Sequence, residues 1–428
     1  AQVDTITGGG EVDTIAGGAG NDIITGGAGN DIITVDVGTD TVLDLGGAGG
    51  DEDDVVVIEA GATLAATGIA GFTATNVTTN KSTGAGNATL TAKADAAVTI
   101  DVSGAKSDSK GFTLEGGSGT GNDILTGGAG ADIITGGAQV DTITGGGEVD
   151  TIAGGAGNDI ITGGAGNDII TVDAGTDTVL DLGGSGGNED DVVVIESGAT
   201  LSATGIAGFT ATNVTTNKST GAGNATLTAK ADAAVTIDVS GAKSDSKGFT
   251  LEGGSGTGND ILTGGAGADI ITGGAQVDTI TGGGEVDTIA GGAGNDIITG
   301  GAGNDIITVD VGTDTVLDLG GAGGDEDDVV VIEAGATLAA TGIAGFTATN
   351  VTTNKSTGAG NATLTAKADA AVTIDVSGAK SDSKGFTLEG GSGTGNDILT
   401  GGAGADIITG GAQVDTITGG GEVDTIAG

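Results

Sequence analysis

The sequence predicts an all-β fold in which very short strands stack as a repeating solenoid, and three observations predict it. Between Ser118 and Val179 seven aspartates, Asp123, Asp132, Asp141, Asp150, Asp159, Asp168 and Asp177, recur every nine residues. Two positions after each stands an aliphatic residue: Leu125, Ile134, Ile143, Ile152, Ile161, Ile170 and Val179. Glycine-rich turns such as Gly154-Gly155-Ala156-Gly157-Asn158-Asp159 precede most of them, and no helical period of any length is present. A nine-residue period suits a turn that needs glycine, followed by a three-residue strand with one side chain inward and two outward.

These residues resemble the nonapeptide of the RTX, or repeats-in-toxin, proteins: Gly-Gly-x-Gly-x-Asp-x-aliphatic-x. The resemblance implies a right-handed parallel β-roll, a form of β-solenoid, in which alternate turns stack into two facing sheets. It also implies Ca2+ as cofactor, several ions per repeat unit, between loops two repeats apart and held by Asp carboxylates and loop carbonyls. Carried over position by position, the metal ligands are Asp4, Asp13, Asp22, Asp31, Asp40, Asp123, Asp132, Asp141, Asp150, Asp159, Asp168 and Asp177. They continue as Asp260, Asp269, Asp278, Asp287, Asp296, Asp305, Asp314, Asp397, Asp406, Asp415 and Asp424.

Some turns depart from the pattern. Gln139 and Glu148 stand where the motif has a glycine, and the turns before Asp123 and Asp177 read Ser118-Gly119-Thr120-Gly121-Asn122 and Val172-Asp173-Ala174-Gly175-Thr176. These four are expected to bind more weakly or with altered ligands, with Glu148 a carboxylate able to substitute. The turns ending in Asp132, Asp159 and Asp168 follow the motif best.

The whole chain is a tandem of 137-residue units: Ala1-Gln2-Val3-Asp4-Thr5-Ile6 returns at Ala138, Ala275 and Ala412. The second unit differs by small swaps such as Ala174 for Val37 and Ser202 for Ala65. Nonapeptide arrays occupy 1–43, 118–180, 255–317 and 392–428, with β-rich spacers at 44–117, 181–254 and 318–391. Both ends fall within an array, which reads as an excerpt of a longer protein or fibre.

Each spacer opens on an acidic run, Asp51-Glu52-Asp53-Asp54, read as a solvated loop, with an extra cation site as the sharper alternative. Val55-Val56-Val57-Ile58 is a continuous apolar run, hence a strand buried on both faces. Weaker strands follow at 72–75, 88–92, 97–102 and 112–115, and continuation of the stack is favoured over a separate small sandwich. All positive charge lies in the spacers, as Lys81, Lys93, Lys106 and Lys110 of each unit, read as solubility lysines or as partners for the acidic loops of a neighbouring molecule. The sequons at Asn76, Asn80 and Asn87 are expected by chance in a chain so rich in Asn and Thr. On the strands of the arrays Ile124, Ile133, Ile160 and Ile169 should face outward beside a threonine row.

Composition narrows the function. There are 428 residues, a formal charge of −47, 94 glycines, six Phe, and no His, Cys, Met, Pro, Trp or Tyr. Without His or Cys the chain lacks an ordinary nucleophile and base pair, and it has no nitrogen or sulfur site for zinc, so it is read as no enzyme. Such acidity repels nucleic acid and anionic membranes and attracts divalent cations, and no run has transmembrane length. So few aliphatic side chains cannot order so much glycine, which predicts a chain disordered without calcium.

The expectation is a calcium-stabilised structural protein, exported unfolded by a type I system as the resemblance implies. It would form an extracellular filament, matrix fibre or surface layer by self-association, secreted or at the cell surface. The alternatives are the extender of a large RTX adhesin and the calcium-folding secretion tail of a hydrolase or toxin.

Overall fold

A computed structural model describes the chain except residues 1, 44, 46–53, 70, 75, 83–87, 95–96, 181, 183–190, 198, 207–208, 212–214, 220–224, 230–233, 318, 320–327, 335, 344–345, 349–350, 357–361, 367–370 and 393–394. Two compact units organise it, one of Ala1–Phe209 with Val214–Thr220 and one of Thr210–Asn213 with Gly221–Gly428. The described residues form strands and turns only, and every strand pair is parallel.

In the first unit consecutive strands alternate between opposing sheets. One sheet runs Thr5–Gly9, Ile23–Gly27, Gly38–Val42, Ala62–Ile69, Ala88–Ala92, Thr113–Glu115, Ile133–Ala138, Thr151–Ala156, Ile169–Val172, Val192–Ile195, Thr216–Asn217. Opposite it lie Thr14–Ala16, Ile32–Val35, Val55–Ile58 and Thr79–Asn80, and then a run from Phe72–Thr73 through Thr99–Asp101, Ile124–Thr126, Thr142–Gly147 and Ile160–Ala165 to Thr176–Val179 and Thr200–Ile206. The second unit repeats the plan. One sheet there includes Thr236–Asp238, Ile261–Thr263, Thr279–Gly283, Ile297–Gly301 and Thr313–Val316, and another Ala225–Ala229, Thr250–Glu252, Ile270–Ala275, Thr288–Ala293 and Ile306–Val309. The chain is therefore a parallel β-solenoid, as the nine-residue period and the resemblance predict.

The register explains the period. Ile134 sits opposite Ile152 and Ile152 opposite Ile170, so a residue meets its equivalent two nonapeptides later. Each three-residue strand sends its middle side chain inward, and Leu125, Ile134, Ile143, Ile152, Ile161 and Ile170 are all fully buried. The flanking positions face out: Ile124, Ile160 and Ile169 are 40–47% exposed, while Ile133 is half-buried. Glycine is needed where neighbouring turns touch. A Cβ on Gly157 would run into the Gln139 carbonyl oxygen, and Gly155 adopts φ 93°.

The spacer continues this stack. Gly38–Val42 pairs with Ala62–Ile69, which pairs with Ala88–Ala92, then Thr113–Glu115, then Ile133–Ala138 of the next array. Its turns are wider, so Thr91 bonds Glu115 at a separation of 24 residues where the arrays use 18. Gly68, at φ 73°, is the extra residue of a bulge where the register slips between Thr91 and Ala92.

One strand differs from its sequence expectation, and two further details bear on readings that the sequence left open. Val55–Ile58 is buried on one face only; Val56 and Ile58 point in, and Val55 and Val57 are half-exposed. Lys81 pairs within its own unit, with Glu59 at 3.8 Å, as Lys218 does with Glu196 at 3.6 Å and Lys355 with Glu333 at 3.3 Å. These pairs are half-exposed and contribute little. Asn80 is wholly buried, donating to the Gly111 carbonyl and accepting the Ser82 amide, so it is no glycan acceptor. Asn76 is exposed, and Asn87 lies outside the described residues.

Candidate metal centres along the buried carboxylate columns

The aspartate two residues before each inward aliphatic also points into the solenoid. Asp22, Asp31, Asp40, Asp123, Asp132, Asp141, Asp150, Asp159, Asp168 and Asp177 are buried. So are Asp260, Asp269, Asp278, Asp287, Asp296, Asp305, Asp314, Asp397 and Asp406. Asp13, Asp415 and Asp424 are half-buried and Asp4 is exposed.

Stacking turns these residues into columns. The amide of each Asp donates to Oδ1 of the Asp one step on: Asp123 to Asp141 at 2.7 Å, Asp141 to Asp159 at 2.8 Å, Asp159 to Asp177 at 3.0 Å. A second column runs Asp132, Asp150, Asp168 with bonds of 2.7 and 2.8 Å. The second unit repeats both, as Asp260, Asp278, Asp296, Asp314 and as Asp269, Asp287, Asp305. The chain start carries Asp4, Asp22, Asp40 and Asp13, Asp31, and residues 397–424 carry Asp397, Asp415 and Asp406, Asp424.

One amide satisfies one carboxylate oxygen and leaves the other. Oδ2 of Asp13, Asp22, Asp31, Asp40, Asp141, Asp150, Asp159, Asp177, Asp278, Asp287, Asp296 and Asp314 is buried without a hydrogen-bond partner. Apart from those of Asp40, Asp177 and Asp314, where valine takes the equivalent place, each such oxygen lies against a glycine that has no Cβ to meet it. A Cβ on Gly136 would lie 2.7 Å from Asp141 Oδ2 and would clash with the Gly154 carbonyl oxygen of the next turn. The glycines thus clear a channel in which carboxylate and carbonyl oxygens face each other.

Among the aspartates with an unpartnered Oδ2, burial raises the carboxyl pKa values of eight most. Asp150 and Asp287 are pushed up to about 8, first by burial and then by their column neighbours, Asp132 and Asp168 for the former, against the relief of one backbone amide. Asp141, Asp159, Asp177, Asp278, Asp296 and Asp314 rise to about 6, again chiefly by burial. An ionised carboxylate in such a place needs a counter-charge.

Asp132, Asp269 and Asp406 are different. Both oxygens of Asp132 accept backbone amides, from Phe112 and, at 2.7 Å, from Gly128. The same pairs, Phe249 with Gly265 and Phe386 with Gly402, serve Asp269 and Asp406. Of the three turns that follow the motif best, the one ending in Asp132 therefore has a carboxylate satisfied by protein alone.

The departures from the motif carry backbone strain. Gln139, Glu148, Gln276, Glu285, Gln413 and Glu422 all adopt positive φ, between 57° and 80°, in turns where the motif has glycine. For a residue with a Cβ this costs about 1 kcal/mol or more. Gln139→Gly with Gln276→Gly should stabilise the folded chain by about 1 kcal/mol per site, read as a higher denaturation midpoint in calcium.

The columns end at apolar residues. Asp40 lies opposite Leu64, Leu64 opposite Ala88, and the register of Leu90 with Leu114 and Leu114 with Ile134 brings Phe112 and then Asp132 into line. Leu64, Ala88 and Phe112 are buried, as is Val98, whose amide caps Asp123. Each spacer adds a column carboxylate that the nonapeptide spacing missed: Asp54, expected in a solvated loop, is fully buried, and its Oδ1 accepts the Asp31 amide at 2.8 Å. Asp191 and Asp328 do the same for Asp168 and Asp305. The signal was present as Asp54-Val55-Val56, which keeps the Asp-x-aliphatic order out of nine-residue phase. Asp51, Glu52 and Asp53 lie outside the described residues.

Fold and columns together define a solenoid repeat protein whose interior is lined by carboxylates on glycine turns. These arrays are RTX calcium-binding nonapeptide repeats: the model of that family matches residues 4–42, 117–152, 144–179, 254–289, 281–316 and 388–426. No curated protein matches the chain.

The residues present fit Ca2+. Every side-chain donor in the columns is an oxygen, the choice of a hard cation that takes six to eight oxygen ligands. Among the described residues no group of three or more carboxylates is placed to hold a metal, so carbonyl oxygens of the glycine turns must complete the set.

Proposed function

We propose that the chain is a calcium-stabilised structural repeat region of a secreted bacterial protein, built to assemble outside the cell into a filament, fibre or surface layer. The observation that carries this reading is the set of buried, unpartnered Oδ2 atoms repeated along near-identical units. Calcium bound there supplies the counter-charge that lets stacked carboxylates stay ionised inside the solenoid. The residues that hold it are the column aspartates with an unpartnered oxygen, together with glycine-turn carbonyls such as that of Gly154.

The protein's own part is positional. Amide donation from each Asp to the next fixes Oδ1, so in the folded array Oδ2 is left free to face the ion. RTX repeats occur in secreted bacterial proteins, and among the described residues no helix is long and apolar enough to cross a membrane. Extracellular calcium would then fold the chain after export.

Self-association draws on the outward faces. Along one sheet Ile124, Thr142, Ile160 and Thr178 form a register-matched row, and along the other Thr113, Ile133, Thr151 and Ile169. Aligned isoleucines 40–47% exposed at Ile124, Ile160 and Ile169 offer an apolar contact between copies. Light scattering of the chain titrated with calcium tests this. Growth on calcium addition that is abolished by Ile124→Lys with Ile160→Lys, while circular dichroism still reports folding, supports assembly. A parent chain that folds with calcium and stays monomeric favours the extender of an adhesin, in which the units only set distance.

A further inference from the structure

We infer that Asp54, Asp191 and Asp328, the buried aspartates that open the spacers, are calcium ligands that close the last cation site of the array before each spacer. All three lie outside the stretches that match the nonapeptide family. The inference rests on the proposed calcium-dependent reading and extends it to residues that break the nonapeptide phase.

Register makes the case. Ile32 pairs with Val55 and Ile33 with Val56, so Asp54 occupies the column position next to Asp31, as Asp31 does next to Asp13. The Asp31 amide donates to Asp54 Oδ1 at 2.8 Å, the same bond and length as from Asp13 to Asp31, although the intervening chain is 23 residues rather than 18. Ile169 with Val192 and Ile306 with Val329 repeat the arrangement. The extra residues fall in the connection between strands and leave the column step unchanged.

A second observation points to a ligand at this step. Asp31 is fully buried, its Oδ1 is taken by the Asp13 amide, and its Oδ2 has no partner. With Asp54 also fully buried beside it, two carboxylates lie adjacent in a low-dielectric interior. Two such groups are stable in ionised form only with a cation between or beside them. An asparagine at this position keeps the Oδ1 acceptor for the Asp31 amide and removes the negative charge.

That difference sets the test. In the 428-residue chain Asp54→Asn, Asp191→Asn and Asp328→Asn are combined, and bound calcium is counted by equilibrium dialysis at saturation. The variant keeps an amide acceptor at each junction, so β-content in calcium should equal the parent's while the count falls by three ions per chain. The single variant Asp191→Asn, which leaves the other two junctions untouched, is measured alongside and should lose one ion. An unchanged count in either folded variant, with the parent binding calcium, overturns this assignment alone. A parent that binds no calcium overturns the proposed function from which it descends.

Discussion

Removal of calcium is expected to melt the nonapeptide arrays and to leave the spacer strands folded. In an array each turn buries one aliphatic side chain, such as Ile143 or Ile152, beside one aspartate, and the rest of the turn is largely glycine. Glycine has the most conformational freedom to lose on folding, and without a cation the column carboxylates repel one another where water cannot screen them. In a spacer the same column positions hold Leu64, Ala88 and Phe112, flanked by buried Ala66, Leu90 and Leu114. Each fully buried leucine or phenylalanine side chain contributes about 1.5–3 kcal/mol, with no ion required. Hydrogen exchange of the full chain in excess chelator would read this directly. Amides of 142–147, 151–156 and 160–165 should lose protection by about a hundredfold or more, the effect of removing a site held at a hundred times its dissociation constant. Amides of 88–92 and 113–115 should stay protected. Equal loss in both regions would show that the apolar columns do not hold the spacer by themselves.

That division was only half legible in the sequence. The arrays could be read to the residue, because a nine-residue period with Asp and aliphatic in fixed phase leaves one way to stack, and Asp123 to Asp177 lie where the period puts them. The spacer's membership of the same stack was harder to see, because its step varies between 20, 23, 24 and 25 residues and no fixed period survives. Asp54 was hidden for the same reason: it stands beside other acidic residues, and only the pairing of Val55 with Ile32 shows that it belongs to a column. The sequence expectation of a chain wholly disordered without calcium counted the aliphatics of the arrays alone. Phe112 and Leu64 count differently once their register with Asp132 and Asp40 is known. Nor could spacing show that Asp132 spends both oxygens on amides, since the second donor, Gly128, comes from its own turn.

Acid is expected to replace calcium in part, so that in chelator the chain gains β-structure as pH falls. The unfolded carboxyl groups ionise near 3.8, whereas burial holds Asp150 and Asp287 up to about 8 and Asp141, Asp159, Asp278 and Asp296 to about 6. Between those values the folded chain binds more protons than the unfolded one, and stability therefore falls as pH rises through the window from about 4 to about 8. Below it both states are protonated and no difference remains; above it the full cost of the buried charge is present. Circular dichroism in chelator at pH 5 should accordingly show more β-structure than at pH 8.5. Calcium reverses the slope, because an ion bound to the columns favours the ionised carboxylates and competes with protons. Asp150→Asn with Asp287→Asn separates the two regimes. Without calcium at pH 8.5 the variant should be more stable than the parent, having no charge to bury at the most strongly shifted positions. With calcium it should be less stable, having lost an anionic ligand at each. A variant that shifts stability in one direction under both conditions would mean that charge at Asp150 is not what calcium answers.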